Sequence, residues 1–344
     1  MSREAVERFA CFGGTCEVRV AGEDRRAAAV AARKRLLEWH DRFSRFTPHS
    51  ELSRLNADPR EQVPASDAML ALVEAIASAG ERTGGLVDGT LAHQIAAAGY
   101  EVPLPRGNGA PAAVTRRTGG GRVAVTPRRG AARVVMTRRA KGGLAVAYGA
   151  TGATLRPAPQ RRPAGPSPRA HWRHIAADRD RGVVRRPPGV AIDGGGLAKG
   201  LFADLLAEEL AAHAGFVVNC AGDLRIGGAQ PRPLQVAGPS NDAILHTFAI
   251  AEGAAATSGI GARAWVDAAG GPAHHLLDPA TGRPAFTGVV QATALAPTAL
   301  EAEIRAKAAL LSGPDGSRAW LEPHGGVVVH DDGSHRVIAG TATA

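Results

Sequence analysis

One stretch of the chain concentrates groups that can do chemistry: Ala191-Ile-Asp-Gly-Gly-Gly-Leu-Ala-Lys-Gly-Leu-Phe-Ala-Asp204. A short apolar run, Val190 to Ile192, ends in the carboxylate of Asp193. Gly194, Gly195 and Gly196 follow, then Lys199, then an amphipathic run to about Ala214. The pattern predicts a strand, a tight glycine loop and a helix start. Glycines accept positive φ and let a ligand approach the backbone closely. The free N–H groups of a helix N-terminus attract anions, and Lys199 adds a point charge. A diphosphate suits such a loop. The spacing is neither that of a P-loop nor G-x-G-x-x-G, so generic phosphate motifs are not the warrant. The same residues also suit a plain glycine turn at a helix start.

Three further polar motifs each end an apolar run: Asn219-Cys-Ala-Gly-Asp223, Ala256-Thr-Ser-Gly259 and His274-His-Leu-Leu-Asp-Pro-Ala-Thr-Gly282. The hydroxyls of Thr257 and Ser258 can donate hydrogen bonds to a phosphate. A histidine can take a proton from an attacking hydroxyl. Taken singly, each motif is weak: a lone histidine is more often structural than catalytic, and such a corner is usually just a turn.

The surrounding elements must position these groups. Periodicity predicts helices over Arg25–Phe43, with Val30 and Leu36 among the apolar positions, and over Asp67–Thr83, ended by Gly84-Gly85. Ser50 is a candidate N-cap for a short helical turn. A third helical run reaches Ala98 after Asp88-Gly-Thr90. Strand signals recur at Glu17–Val20, Trp172–Ala176, Val183–Val184, Phe216–Asn219, Leu234–Ala237, Leu245–Ala251 and Gln291–Leu295. Val266–Leu277 predicts a hairpin around Gly270-Gly271. A long helix, Thr298–Leu311, stops at Gly313-Pro314, and a hairpin over Gly325–His330 and His335–Ala339 closes the chain. Strands and helices do not alternate strictly, which favours α+β over a doubly wound sheet.

At 344 residues the chain can bury a large core. The formal charge of +9 is unevenly spread: Pro103–Trp172 holds 14 of the 41 Lys and Arg and none of the 32 Asp and Glu, so the remainder is net acidic. That segment, rich in Arg, Gly, Ala and Pro, reads as a flexible basic insertion with short strand signals at Val123–Val125 and Leu144–Tyr148. A nucleic-acid-associated protein acting through it is the reading from another class. It has only Tyr148 and Trp172 as aromatics and no recognition helix, which disfavours nucleic acid as a partner. Three cysteines, Cys11, Cys16 and Cys220, give neither a disulfide framework nor zinc-type spacing. No apolar h-region and no run of eighteen apolar residues occur, so the expectation is a cytoplasmic protein without membrane insertion.

The ordered set of motifs resembles the ApbE family of FAD:protein FMN transferases. It comprises Gly14-Thr15, Phe43-Ser44 with Ser50-Glu-Leu-Ser-Arg-Leu-Asn56, Asp88-Gly-Thr90, Ile192–Gly200 with Asp204, Asn219–Asp223, Ala256–Gly259 and His275–Gly282. The resemblance covers nearly the whole chain outside Pro103–Trp172. It implies one T-fold-like α+β domain, with mixed or antiparallel sheets and flanking helices, that holds FAD in a cleft. It also implies transfer of FMN to a Thr or Ser hydroxyl of a flavoprotein acceptor, with release of AMP and normally with Mg²⁺. On that reading Lys199 and His275 are catalytic, His275 drawing the proton from the acceptor, with Asp278 able to orient it or merely to cap a turn. Glu51, Ser53, Asn56, Asp193, Gly195, Gly196, Asn219, Asp223, Thr257 and Ser258 are cofactor contacts. A family member that binds or hydrolyses FAD without efficient transfer is the alternative.

One departure concerns the metal. Where the family carries Ala-Asp-x-x-x-Thr, this chain has Ala302-Glu-Ile-Arg-Ala-Lys307. Glu303 keeps a carboxylate for the metal, but Lys307 puts a cation four residues on, hence on the same helical face. A protonated ammonium cannot ligate a metal. Two readings follow: Lys307 replaces the Mg²⁺, or Glu303 and Lys307 form an ordinary i,i+4 ion pair.

Overall fold

The structure, a computed structural model, describes residues 4–101, 133–138, 144–149, 160–239, 243–261, 263–267 and 271–341. Its centre is an eight-stranded sheet. The strand order is Glu4–Cys11, Gly14–Ala21, Gly215–Cys220, Asp223–Gly228, Gly253–Gly259, Val289–Ala296, Gly326–His330 and His335–Ile338. Every neighbouring pair is antiparallel. Helices α1 (Arg25–Arg42), α5 (Ala198–Leu210), α6 (Ala299–Leu311) and α7 (Gly313–Leu321) pack on successive strands and on one another. Helices α2 (Glu51–Ala57), α3 (Asp67–Arg82) and α4 (Ala92–Ala97) complete the body, with a small sheet of Gln62–Pro64, Val183–Arg185 and Ala176–Asp178. The α+β expectation holds.

Local chemistry explains most boundaries. The Ser50 hydroxyl accepts the Ser53 N–H at 3.0 Å and starts α2 as expected. The Ser66 hydroxyl starts α3, whose Met69, Leu70, Leu72, Val73 and Ile76 are buried. Gly84 and Gly85, both at positive φ, follow its end. Other expectations change. Val30 is 48% exposed; Ala29, Ala32, Leu36 and Trp39 form the buried stripe of α1 instead. Helix α5 ends at Leu210, short of Ala214. Trp172 lies in a 3-10 turn, His171–His174, and the strand begins only at Ala176. Gly313-Pro314 does not merely stop α6 but begins α7, with proline in the first turn, where its missing N–H costs nothing. The hairpin that leads into the histidine motif pairs Ala264–Val266 with Pro272–His274; the Gly270 turn lies outside the described residues.

Val190–Ile192 is buried but is not a strand. Ile192 makes its backbone hydrogen bonds to the Asn56 side chain: Asn56 Nδ2 donates to Ile192 O and Ile192 N–H donates to Asn56 Oδ1, both at 2.8 Å. The Asp193 N–H then donates to Gly89 O at 2.8 Å. Asn56 acts as one residue of a strand partner and aims the glycine loop.

Residues 160–172, the end of the basic segment, are largely exposed but are tied to the body by backbone hydrogen bonds. Ala164 N–H donates to Leu311 O at 2.8 Å, and Gly165 N–H to Asp278 Oδ1 at 3.0 Å. Trp172 is buried against α3 at Gly80, where any Cβ would fall 2.3 Å from its ring. Within the segment, Arg133–Arg138 pairs antiparallel with Leu144–Gly149, in keeping with the second strand signal; Val123–Val125 lies outside the described residues.

Candidate active site

Helices α5 and α6 fix the charged part of the site by capping each other. Both carboxylate oxygens of Asp204, on α5, accept the Ala299 and Leu300 N–H groups that open α6, each at 2.8 Å. In return Glu303 Oε2, on α6, accepts the Gly200 N–H in the first turn of α5 at 2.9 Å. The helices touch at Gly200: a Cβ there would lie 2.6 Å from Ala299 O, so the Lys-Gly dipeptide is a packing requirement as well as a motif.

Lys199 therefore emerges between two carboxylates. It forms an ion pair with Asp223 and lies 3.4 Å from Glu303 Oε1. Burial alone would lower the Lys199 ammonium, but Asp223 and Glu303 hold it above the usual lysine range. Burial, reinforced by Glu303, raises Asp223 to about 7. Glu303 is buried as well, yet Lys199, Lys307 and the Gly200 N–H keep it below the ordinary carboxylate value.

A cavity of about 490 Å³ opens beside this cluster. Asp193, Gly194, Gly195, Gly196, Lys199 and Lys307 contribute its loop-and-helix wall, and Arg263 and His275 face in from the neighbouring hairpin. The rest of the wall is largely aromatic and apolar. Tyr100 stacks on Trp265 with centroids 5.4 Å apart, and Phe46 meets Tyr100 edge-on at 5.3 Å. Arg45 lies over both Phe46 and Tyr100 and reaches Asp193 at 3.3 Å. A cavity with both an aromatic wall and a cationic wall suits a ligand that joins a flat ring system to an anionic group.

His275 carries a neutral ring. Burial first, then the Arg263 and Lys307 cations, push its imidazolium well below 6.5, so the ring is neutral at neutral pH. Its Nδ1 faces Arg263 O at 3.4 Å. A carbonyl only accepts, so the proton sits on Nδ1 and the Nε2 lone pair is available. His274 does not line the cavity; it packs edge-on against Phe286, and burial lowers it to about 4. Asp278 does not orient His275: it accepts from Gly165, Ala280 and Thr281 and pairs with Arg162.

The other expected contacts divide sharply. Asp193, Gly195, Gly196, Lys199 and His275 line the cavity; Glu51, Ser53, Asn56, Asn219, Asp223, Thr257, Ser258 and Glu303 do not. Glu51 is held by Arg42 and by the Ser66 N–H and hydroxyl. The Ser53 hydroxyl faces Ser44 O and Arg45 O, each at 3.5 Å. Asn219 Oδ1 accepts the Gly222 N–H at 2.8 Å, Thr257 meets Thr293 across the sheet at 2.9 Å, and Ser258 is buried. Glu51, Ser53, Asn56, Asn219 and Glu303 thus bond to backbone, while Thr257 and Asp223 engage other side chains. Conversely, Arg263 and Tyr100 were not legible as site residues. Arg45 sits in the aromatic run Phe43-Ser-Arg-Phe46, and that clustering of rings around one cation was its available signal.

An antiparallel sheet backed by mutually capped helices, with a glycine loop, two lysines and a neutral histidine facing one cavity, defines an α+β protein built to hold an anionic ligand. The chain belongs to the ApbE family, whose model matches residues 12–329. Among solved structures it is similar to an ApbE protein from Thermotoga maritima (TM-score 0.71, 22% identity, covering 98% of this chain and 97% of that one). It is also similar to the flavinyl transferase ApbE of Pseudomonas stutzeri in its apo form (TM-score 0.68, 17% identity, 98% and 95%) and to the flavin transferase ApbE of Vibrio cholerae (TM-score 0.65, 18% identity, 99% and 98%). No curated protein sequence matches it significantly.

Proposed function

We propose that this protein transfers FMN from FAD to a Thr or Ser hydroxyl of an acceptor flavoprotein. Family membership and the likeness to two flavin transferases of known structure support the reaction class. The observation that carries the reading for this chain is the convergence of Lys199, Lys307, Arg263 and a neutral His275 on one cavity beside the glycine loop. Phosphoryl transfer asks mainly for positioning and charge neutralisation, and these groups supply both.

The acceptor oxygen attacks the phosphorus on the FMN side of the diphosphate. The P–O bond to the bridging oxygen breaks, AMP leaves with that oxygen, and the hydroxyl proton passes to His275 Nε2. Lys199, Lys307 and Arg263 neutralise the phosphoryl oxygens while the aromatic wall around Tyr100 holds a ring system. Mg²⁺, which the resemblance implies, does not fit the side chains on α6: Lys307 stands where a neutral oxygen ligand is expected.

The test is incubation of the purified chain with FAD and a flavoprotein domain carrying a Thr acceptor. The expected result is an acceptor heavier by one FMN, fluorescent after denaturation, with an equal amount of AMP. FAD bound without covalent product would favour a binding or hydrolysing role instead.

A further inference from the structure

Helix α6 carries a buried carboxylate, Glu303, and one turn on an ammonium, Lys307, that lines the cavity. Glu303 has both oxygens engaged, Oε2 on the Gly200 N–H and Oε1 facing Lys199. Asp223, the other carboxylate of the cluster, is paired with Lys199. Lys307 lines the cavity directly beneath the glycine loop: a Cβ on Gly196 would fall 2.8 Å from Lys307 Cε and 3.2 Å from Nζ. The missing side chain at position 196 is the space through which the ammonium reaches the loop.

A divalent cation at this turn would draw on the Glu303 and Asp223 carboxylates, which already hold Lys199; of their four oxygens Asp223 Oδ1 has no hydrogen-bond partner. The ion would sit among Lys199, Lys307 and Arg263. An ammonium offers three donors and no lone pair, so Lys307 opposes such an ion by charge and contributes nothing as a ligand. The same ammonium is well suited to an anion.

We propose that Lys307 supplies at the diphosphate the positive charge for which a divalent cation would otherwise be needed, so that this chain binds FAD and transfers FMN without one. The proposal rests on the flavin-transfer reading. Lys307 forms and breaks no bond; it keeps its protons and donates them as hydrogen bonds to phosphoryl oxygens. Burial and the nearby cations lower the Lys307 ammonium from its usual range, opposed by Glu303 and Asp223. An incoming diphosphate reverses the balance and favours the charged form.

The experiment is a titration of the purified chain with FAD, read by flavin fluorescence, once in EDTA and once in millimolar Mg²⁺. Wild type is expected to show the same affinity in both, within about twofold. Lys307→Met is expected to weaken FAD at least tenfold in either buffer while the melting temperature of the unliganded protein does not fall. The double variant Glu303→Asp with Lys307→Thr is expected to bind FAD at least tenfold more tightly in Mg²⁺ than in EDTA. Wild-type binding abolished by EDTA overturns the proposal and leaves the flavin reading standing. Unchanged FAD affinity in a folded Lys307→Met also overturns it. Failure of wild type to bind FAD in either buffer overturns the flavin reading and this proposal with it.

Discussion

Glu303 Oε2 accepts the Gly200 N–H at 2.9 Å, and through that bond a side chain of α6 caps the helix that carries Lys199. The acceptor is a buried carboxylate at the positive end of a helix, where anionic charge is favoured. Glu303→Gln keeps an oxygen for the N–H but leaves Lys199 with Asp223 alone. Removing one partner from a buried charge cluster costs roughly 3–5 kcal/mol, and the neutral amide limits that loss to the lower part of the range. Chemical denaturation of wild type and variant checks the value; an unchanged midpoint would show that the Glu303 charge contributes nothing to folding.

Gly200→Ala tests the helix contact itself. Its Cβ would meet the backbone of Ala299 and Leu300 at 2.6–2.8 Å, and backbone cannot swing away as a side-chain tip can. Overpacking of this kind costs about 1–3 kcal/mol, and the displaced α5 would carry Lys199 with it. The expected outcome is a lower melting temperature together with weaker FAD binding. Asp204→Ala should give a related phenotype through the other half of the mutual cap, costing about 0.5–2 kcal/mol as capping groups do.

What could be read from the sequence was mostly local. The Ser50 cap, the glycines after α3, the stripe on α3 and the last hairpin are settled by residues within a few positions of one another. Motif order was also legible, and with it the family. The roles of individual motif residues were not, because these depend on partners far along the chain. Asn56 reads as a polar contact for a ligand until the fold shows it clamping Ile192, 136 residues away. Arg263 carries no local signal; it is a site residue only because the hairpin after it turns His275 inward and its guanidinium reaches Phe12 O, 251 residues away. Val190–Ile192 reads as a strand because it is apolar, yet a side-chain amide replaces the neighbouring strand. Spacing within the sequence cannot reveal that substitution.

Asn56→Ala follows from the same geometry. It removes both hydrogen bonds to Ile192 and leaves a buried N–H and C=O without their partner. Leaving buried polar groups unsatisfied costs about 1–3 kcal/mol each. Because Ile192 leads directly into Asp193 and the glycine loop, the variant should lose FAD affinity as well as stability. Loss of FAD affinity with no loss of stability would instead make Asn56 a direct ligand contact.

His275 sets the pH profile. Its imidazolium is held well below 6.5 by burial and by the Arg263 and Lys307 cations, so the neutral, proton-accepting form persists as pH falls through 7 and 6.5. The acid limb of kcat/KM, which reports the free enzyme, should therefore lie below 6.5. Stability carries the matching sign. The unfolded chain takes up a proton on this histidine near 6.5 and the folded chain does not, so folding stability falls as pH drops below about 6.5. His275→Asn should lower the transfer rate by about 10²–10⁴, the usual worth of a general base, leave FAD binding within a few-fold, and remove the acid limb from the residual rate. An acid limb centred above 6.5 in wild type, or one that survives in His275→Asn, would assign proton removal to another group.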